Sequence, residues 1–202
     1  KKQTDFLIRN TSNLLENKNF DISTIEGKQE FVKNLFCYYM ICEGTFFWSN
    51  FVMLLSVCKR GILNGFKSQI RYTLRDEGGH LSFGTWLIKE IKKDYPEIWT
   101  KDFTENLQSL MKEAVSLAIE YAKDTLPRPM LGMNSDMFVD FMYFLGNIRL
   151  KEVELKPIFP HSVNPFPWVE ETIEAPVMTA FFESREQGYR AASALEGEIG
   201  EF

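Results

Sequence analysis

Apolar residues recur along this chain in blocks of helical period, separated by short polar or Pro/Gly-marked turns, and the blocks predict five helices. The first covers about residues 4–16, with Phe6, Leu7, Leu14 and Leu15 as its apolar side, and a polar turn follows. The second covers about 25–60 and is apolar on every side: between Phe31 and Cys58 its only charges are Lys33 and Glu43. Gly61 ends it, next to Lys59 and Arg60, which suit a helix C-terminus. A third helix, about 63–94, stops before Pro96. A fourth, about 104–125, begins at Thr104-Glu105 and spaces Leu107, Leu110, Met111, Ala114, Val115 and Ala118 three and four apart. A fifth, about 135–155, is capped by Asn134 or Ser135 and stopped by Pro157. No strand-like alternation or internal repeat interrupts this order. The expected class is all-α, a bundle of long antiparallel helices over residues 1–156. Residues 157–202 follow it as a Pro-rich segment and an acidic, thinly apolar tail, expected to be mobile.

Charge removes some functions from this picture. The 202 residues carry 23 Lys+Arg against 28 Asp+Glu, a net charge of −5, which weighs against a general nucleic-acid or anionic-membrane binder. The three cysteines, Cys37, Cys42 and Cys58, form no C-x-x-C and sit in apolar helical runs, as buried reduced thiols of a cytoplasmic protein do. No signal peptide is visible at the start, and no Gly-rich phosphate loop occurs. The chain opens at Lys1 without an initiator Met, as expected of a processed product or a segment of something longer. Histidine is the telling scarcity. There are two, His80 and His161, so an acid–base or metal site built here is mostly carboxylate, or incomplete.

Glu43 is a charge where none is expected. The run from Leu35 to Val57 is long enough for a membrane span, but Glu43 at its centre, with Ser49 and Asn50, argues against one. A helix apolar all round is otherwise the central helix of a bundle. At α-helical spacing Glu43 neighbours Tyr39, Met40, Phe46 and Phe47. A carboxylate there is either paired with a Tyr, a Trp or a cation, or ligates a metal.

The third helix carries Glu77-Gly-Gly-His80. Glu and His three apart lie one turn from each other on one face and can reach one ion, although a polar pair in a core would look the same. Glu-x-x-His completed by single Glu residues from other helices is the ligand pattern of di-metal carboxylate bundles. Carboxylate with imidazole suits Fe or Mn. Glu43 lies 18 residues before Gly61 and Glu77 lies 16 after it, so the two return to the same height within about 3 Å on antiparallel helices. Two glycines inside a helix cost about 1 kcal/mol each against Ala, and a close helix approach is expected to compensate.

Several stretches together resemble the small, radical-generating (R2 or β) subunit of class I ribonucleotide reductase. They are Glu43-Gly-Thr-Phe-Phe-Trp-Ser-Asn-Phe, Leu74-Arg-Asp-Glu77-Gly-Gly-His80-Leu-Ser-Phe-Gly, Asp124-Thr-Leu-Pro-Arg, Leu155-Lys-Pro-Ile, Asn164-Pro-Phe-Pro-Trp168 and Phe181-Phe-Glu-Ser-Arg. The wording is most similar to the chlamydial-type branch, a manganese/iron subgroup. The resemblance implies a ferritin-like fold and a dinuclear Fe/Fe or Mn/Fe centre that reacts with O2. It implies metal ligation by Glu43, Glu77 and His80, and an apolar pocket at Phe47 and Phe51. It further implies radical transfer through Tyr72, Asp76 and the tail Tyr189, a β–β dimer, and a large catalytic α subunit on which the tail docks. No nucleic-acid or membrane partner is implied. The last residues, Leu195 to Phe202, depart from the family's docking pattern.

The family places a further carboxylate, a second Glu-x-x-His and the radical-storing residue on helices before the region matched here. His161, in the Pro-rich loop, is a poor substitute. Three arrangements account for half a ligand set. The N-terminal half of the β subunit is a separate chain or an absent segment, two copies share a symmetric site, or the chain is a metal-free structural partner. A related ferritin-like di-metal oxidase is the enzyme-class alternative.

Overall fold

The computed structural model describes residues 1–16, 20–58, 63–125, 133–160 and 163–169. Among the described residues six α-helices make the bundle: α1 (Lys2–Glu16), α2 (Ile25–Leu35), α3 (Trp48–Cys58), α4 (Asn64–Asp94), α5 (Lys101–Thr125) and α6 (Ser135–Glu152). A π-helical segment, Phe36–Phe47, joins α2 to α3, so that Ile25–Cys58 is one continuous rod. No β-strand occurs among the described residues.

The rod sits where its composition demands. Apolar residues on nearly every side drive it inward, so the π segment is packed by α1, α2, α4, α5 and α6, with Tyr38 and Phe47 left exposed. Phe36, Met40 and Ile41 meet Leu107, Met111 and Ala114 of α5 and Met142 of α6 in one core, all without solvent exposure. Side chains of this size contribute about 1.5–3 kcal/mol each on burial. Two-thirds of the rod's most apolar stretch is buried inside the protein, so it is the core helix of the bundle. The three thiols are free: burial pushes Cys37 up to about 12 and Cys42 up to about 11, which keeps both protonated and unreactive.

Two helix ends differ from the sequence expectation. The fourth predicted helix starts at Lys101, because Thr100 Oγ1 accepts the Phe103 N–H at 3.2 Å and caps the turn. The Thr104 hydroxyl, expected as the start signal, instead donates to the Lys101 carbonyl inside the helix. Thr100→Ala is therefore expected to cost about 1 kcal/mol. Thr104→Ala is expected to leave thermal melts nearly unchanged, and equal losses would contradict the assignment. α6 ends at Glu152, before the proline that was expected to stop it. There the Leu155 N–H bonds to the Leu150 carbonyl (2.8 Å) and the Glu154 N–H to the Lys151 carbonyl (2.9 Å), a Schellman closure with Glu154 left-handed at φ 60°.

The chain after α6 folds back over the bundle. Asn147 Oδ1 accepts the N–H groups of Ile158 and Phe159, Tyr143 stacks on Phe159, and Phe166 and Val169 are buried in the main core. Residues 170–202, which include the expected docking tail and Tyr189, lie outside the described residues, as does His161.

Candidate metal centre

The π segment and α4 lie side by side, and Glu43, Glu77 and His80 converge where they meet. His80 Nδ1 stands 3.3 Å from Glu77 Oε2 and 3.7 Å from Glu43 Oε1. One donor atom from each residue falls within 4.8 Å of the others. Donors on one ion at bonds of about 2.0–2.2 Å are at most about 4.4 Å apart, so these three need to draw in by only a few tenths of an ångström. The three form a gradient from interior to surface. The Glu43 side chain is 5% exposed, Glu77 14% and His80 58%.

Glu43 carries the chemical signature of a ligand position. Burial pushes its carboxyl above the ordinary range and the Glu77 charge adds to this; the Tyr38 hydroxyl and His80 pull the other way. Its Oε2 is buried and has no hydrogen-bond partner. A buried, unsatisfied carboxylate oxygen is costly unless something cationic completes it. Two carboxylates and an imidazole are a donor set that suits Fe or Mn. The residues present fit one side of such a site.

The π segment changes which neighbours Glu43 has. In that segment bonding runs from i to i+5, so the residue five before shares the face. Tyr38 thus faces Glu43, in place of the Tyr39 and Met40 that α-helical spacing predicts. Thr45 follows the same rule: its hydroxyl donates to the Met40 carbonyl at 2.7 Å.

The other expected site residues are distributed as follows. Phe51 is buried with Leu55, Ile70 and Leu74, while Phe47, whose ring meets Phe51 edge-on at 6.4 Å, stays 39% exposed. Tyr72 is half-buried under the Arg75 guanidinium. Asp76 lies on the exposed side of α4, with Arg75 Nε at 3.8 Å.

Within this chain the close helix approach expected at the paired glycines is not made. A Cβ at Gly78 or Gly79 meets nothing within 4 Å, because that side of α4 is open. The close approach is one turn further on: a Cβ at Gly84 falls 2.1 Å from Tyr39 Cγ. Beside it, an aromatic run continues from exposed Tyr38 through half-buried Tyr39 to exposed Phe83 and Trp86, with ring centroids 5.0, 6.0 and 5.8 Å apart.

Sequence reasoning missed Arg149. It is 5% exposed, its Nε donates to the Gly44 carbonyl at 2.9 Å, and its Nη1 reaches both Glu152 oxygens at 2.6 Å. A single cation among Phe141, Leu145 and Leu150 was the available signal.

Residues 1–165 match the family model described as "Ribonucleotide reductase, small chain". The ribonucleoside-diphosphate reductase subunit beta of Chlamydia pneumoniae is 45% identical over 191 residues, 95% of this chain and 55% of that one. The corresponding subunit of Treponema pallidum is 26% identical over 163 residues, 79% of this chain and 46% of that one. Among solved structures, the ribonucleotide reductase R2 subunit from Clostridium botulinum aligns with a TM-score of 0.68 at 26% identity, covering 82% of this chain and 54% of its own. A Bacillus halodurans structure aligns at 0.75 with 20% identity, covering 85% and 58%, a likeness of fold alone. The chain spans about half the length of the curated relatives it matches.

Proposed function

The chain belongs to the ribonucleotide reductase small-chain family, and from that premise we propose that it supplies one side of a dinuclear metal centre serving ribonucleotide reduction. The observation that carries this reading is the meeting of Glu43, Glu77 and His80 around the unpartnered Glu43 Oε2. When bound, a pair of Fe ions, or Mn with Fe, reacts with O2 and supplies an oxidising equivalent. This chain's own part is to hold and shield. Glu43 would offer a carboxylate already stripped of water, Glu77 a second carboxylate beside it, and His80 an imidazole nitrogen from the open side. Phe51 and its apolar neighbours keep water and stray reductant from the buried end.

Three donors are too few for two ions. The remaining carboxylates and the second histidine come from outside these 202 residues, from a preceding segment of the polypeptide or from a separate chain. They approach over the open side of α4, where Gly78, Gly79 and His80 are uncovered. Tyr72, Asp76 and the tail Tyr189 would carry that equivalent onward to a large catalytic subunit, in the cytoplasm and with the β chains paired. Metal analysis tests the central claim. The chain alone is expected to hold Mn or Fe weakly and substoichiometrically. Mixed with, or extended by, the polypeptide carrying the other donors, it is expected to hold two ions per site. Tight stoichiometric metal in the chain alone would sink the shared-site reading.

A further inference from the structure

Among the described residues, Glu43 and Arg149 are the only charged side chains that are buried. They sit on different elements and do not pair with each other, yet they meet through one residue. Arg149 Nε donates to the carbonyl of Gly44, the residue directly after Glu43.

That carbonyl is unusual. In an α-helix it would accept the N–H four residues on, from Trp48. At the end of the π segment the Trp48 N–H turns to the Thr45 carbonyl instead. Arg149 thus brings a charged donor to a carbonyl that the change of register has taken from its α-helical partner. The rest of the side chain is held for this contact. Glu152 accepts Nη1 with both oxygens, and the guanidinium lies 5.3 Å over the Trp48 ring. A Cβ at residue 44 would stand 2.9 Å from the Tyr39 carbonyl oxygen and 3.0 Å from both Arg149 Cδ and Leu81 Cδ1, so the glycine leaves room for the arginine stem.

A buried ion pair is a poor way to fill a core: apolar residues of equal volume are commonly as stable or more so. An apolar side chain cannot, however, hold a carbonyl at a fixed place. We propose that Arg149 is a positioning residue for the metal centre: by anchoring the Gly44 carbonyl it locks the π register at that point and fixes where the Glu43 carboxylate lies. This rests on the reading of Glu43 as a metal ligand.

A double-mutant cycle on the 202-residue chain separates the two. Mn(II) binding is followed by the EPR signal of the free ion for the parent, Arg149→Lys, Glu43→Gln and the double variant. Lysine keeps the charge but loses the rigid donor fork. R149K is expected to weaken Mn(II) about tenfold. E43Q is expected to weaken it at least as much, and the double variant no further than E43Q. The loss in thermal stability caused by R149K is expected to be equal in both backgrounds, so a purely structural role would move the melts and not the coupling. Additive losses of affinity, or an unchanged affinity in R149K, would overturn the proposal. An unchanged affinity in E43Q would instead overturn the ligand reading on which it rests. If R149K loses its helical circular dichroism, Glu152→Gln replaces it, loosening the guanidinium without emptying the core. A smaller loss with the same non-additivity is expected, and no loss overturns the proposal.

Discussion

Glu43→Gln is expected to make the metal-free chain more stable and to weaken its metal binding in the same step. The carboxyl is pushed above its ordinary value of 4.5, chiefly by burial. For an acid with a raised folded value, the folded chain keeps a proton that the unfolded chain has already lost. Stability therefore falls as pH rises from the ordinary value through the folded one, and the penalty is fully present above the folded value. Glutamine has nearly the same shape and no charge to desolvate. Relieving a buried, unsatisfied polar group is worth about 1–3 kcal/mol. At about 2–4 °C per kcal/mol for a chain of this size, E43Q should melt several degrees above the parent at pH 7. The two curves should converge near pH 4, where the parent carboxyl is protonated in both states. Metal added in excess should reverse the order, since it stabilises only the parent. A variant that melts lower than the parent at pH 7 without metal would mean that the carboxylate is satisfied by protein groups.

Alanine at three glycines of α4 should give effects of opposite sign. Gly78→Ala and Gly79→Ala put a methyl into open space and replace a poor helix former, a gain of about 1 kcal/mol each. Gly84→Ala drives its methyl to 2.1 Å from Tyr39 Cγ and 2.4 Å from Tyr39 Cβ. Those are atoms at the root of a ring wedged between Tyr38 and Phe83, not the tip of a flexible chain. The helices must part or the ring must leave its place, costing about 1–3 kcal/mol beyond the propensity gain. Thermal melts of the three variants decide it. A stabilised G84A would mean that Tyr39 moves freely and that the two helices are not held together there.

How much of this could be read beforehand depended on the physics of each feature. The convergence of Glu43 with Glu77 and His80 was legible because it needs only a helical rise and a turn near Gly61. The π segment was not. A change of register shows in a sequence as a slip in the apolar stripe, and a run apolar on every side has no stripe to slip. The same uniformity that marked the rod as central hid its internal geometry, and with it the exchange of Tyr39 for Tyr38 beside the carboxylate. Arg149 was hidden differently. A cation in the last turn of a helix ordinarily answers the C-terminal dipole, and only the apolar Phe141, Leu145 and Leu150 around it signal that this one points inward. The glycines differ in their partners: within this chain the close contact belongs to a single glycine, Gly84, facing an aromatic ring, while the paired ones lie on the open side of α4.

The π segment also has a genetic consequence. A helix in which part of the bonding runs one residue longer than usual carries an offset that comes in whole residues. Point substitutions can strain it or settle it, but cannot remove a fraction of it. Deleting one residue between Phe36 and Glu43 would turn everything beyond it by about 100° around the rod. Glu43, Phe51 and the apolar side of α3 would then face different neighbours. The rod behaves as two helices held at a fixed phase difference, and that phase changes only by insertion or deletion.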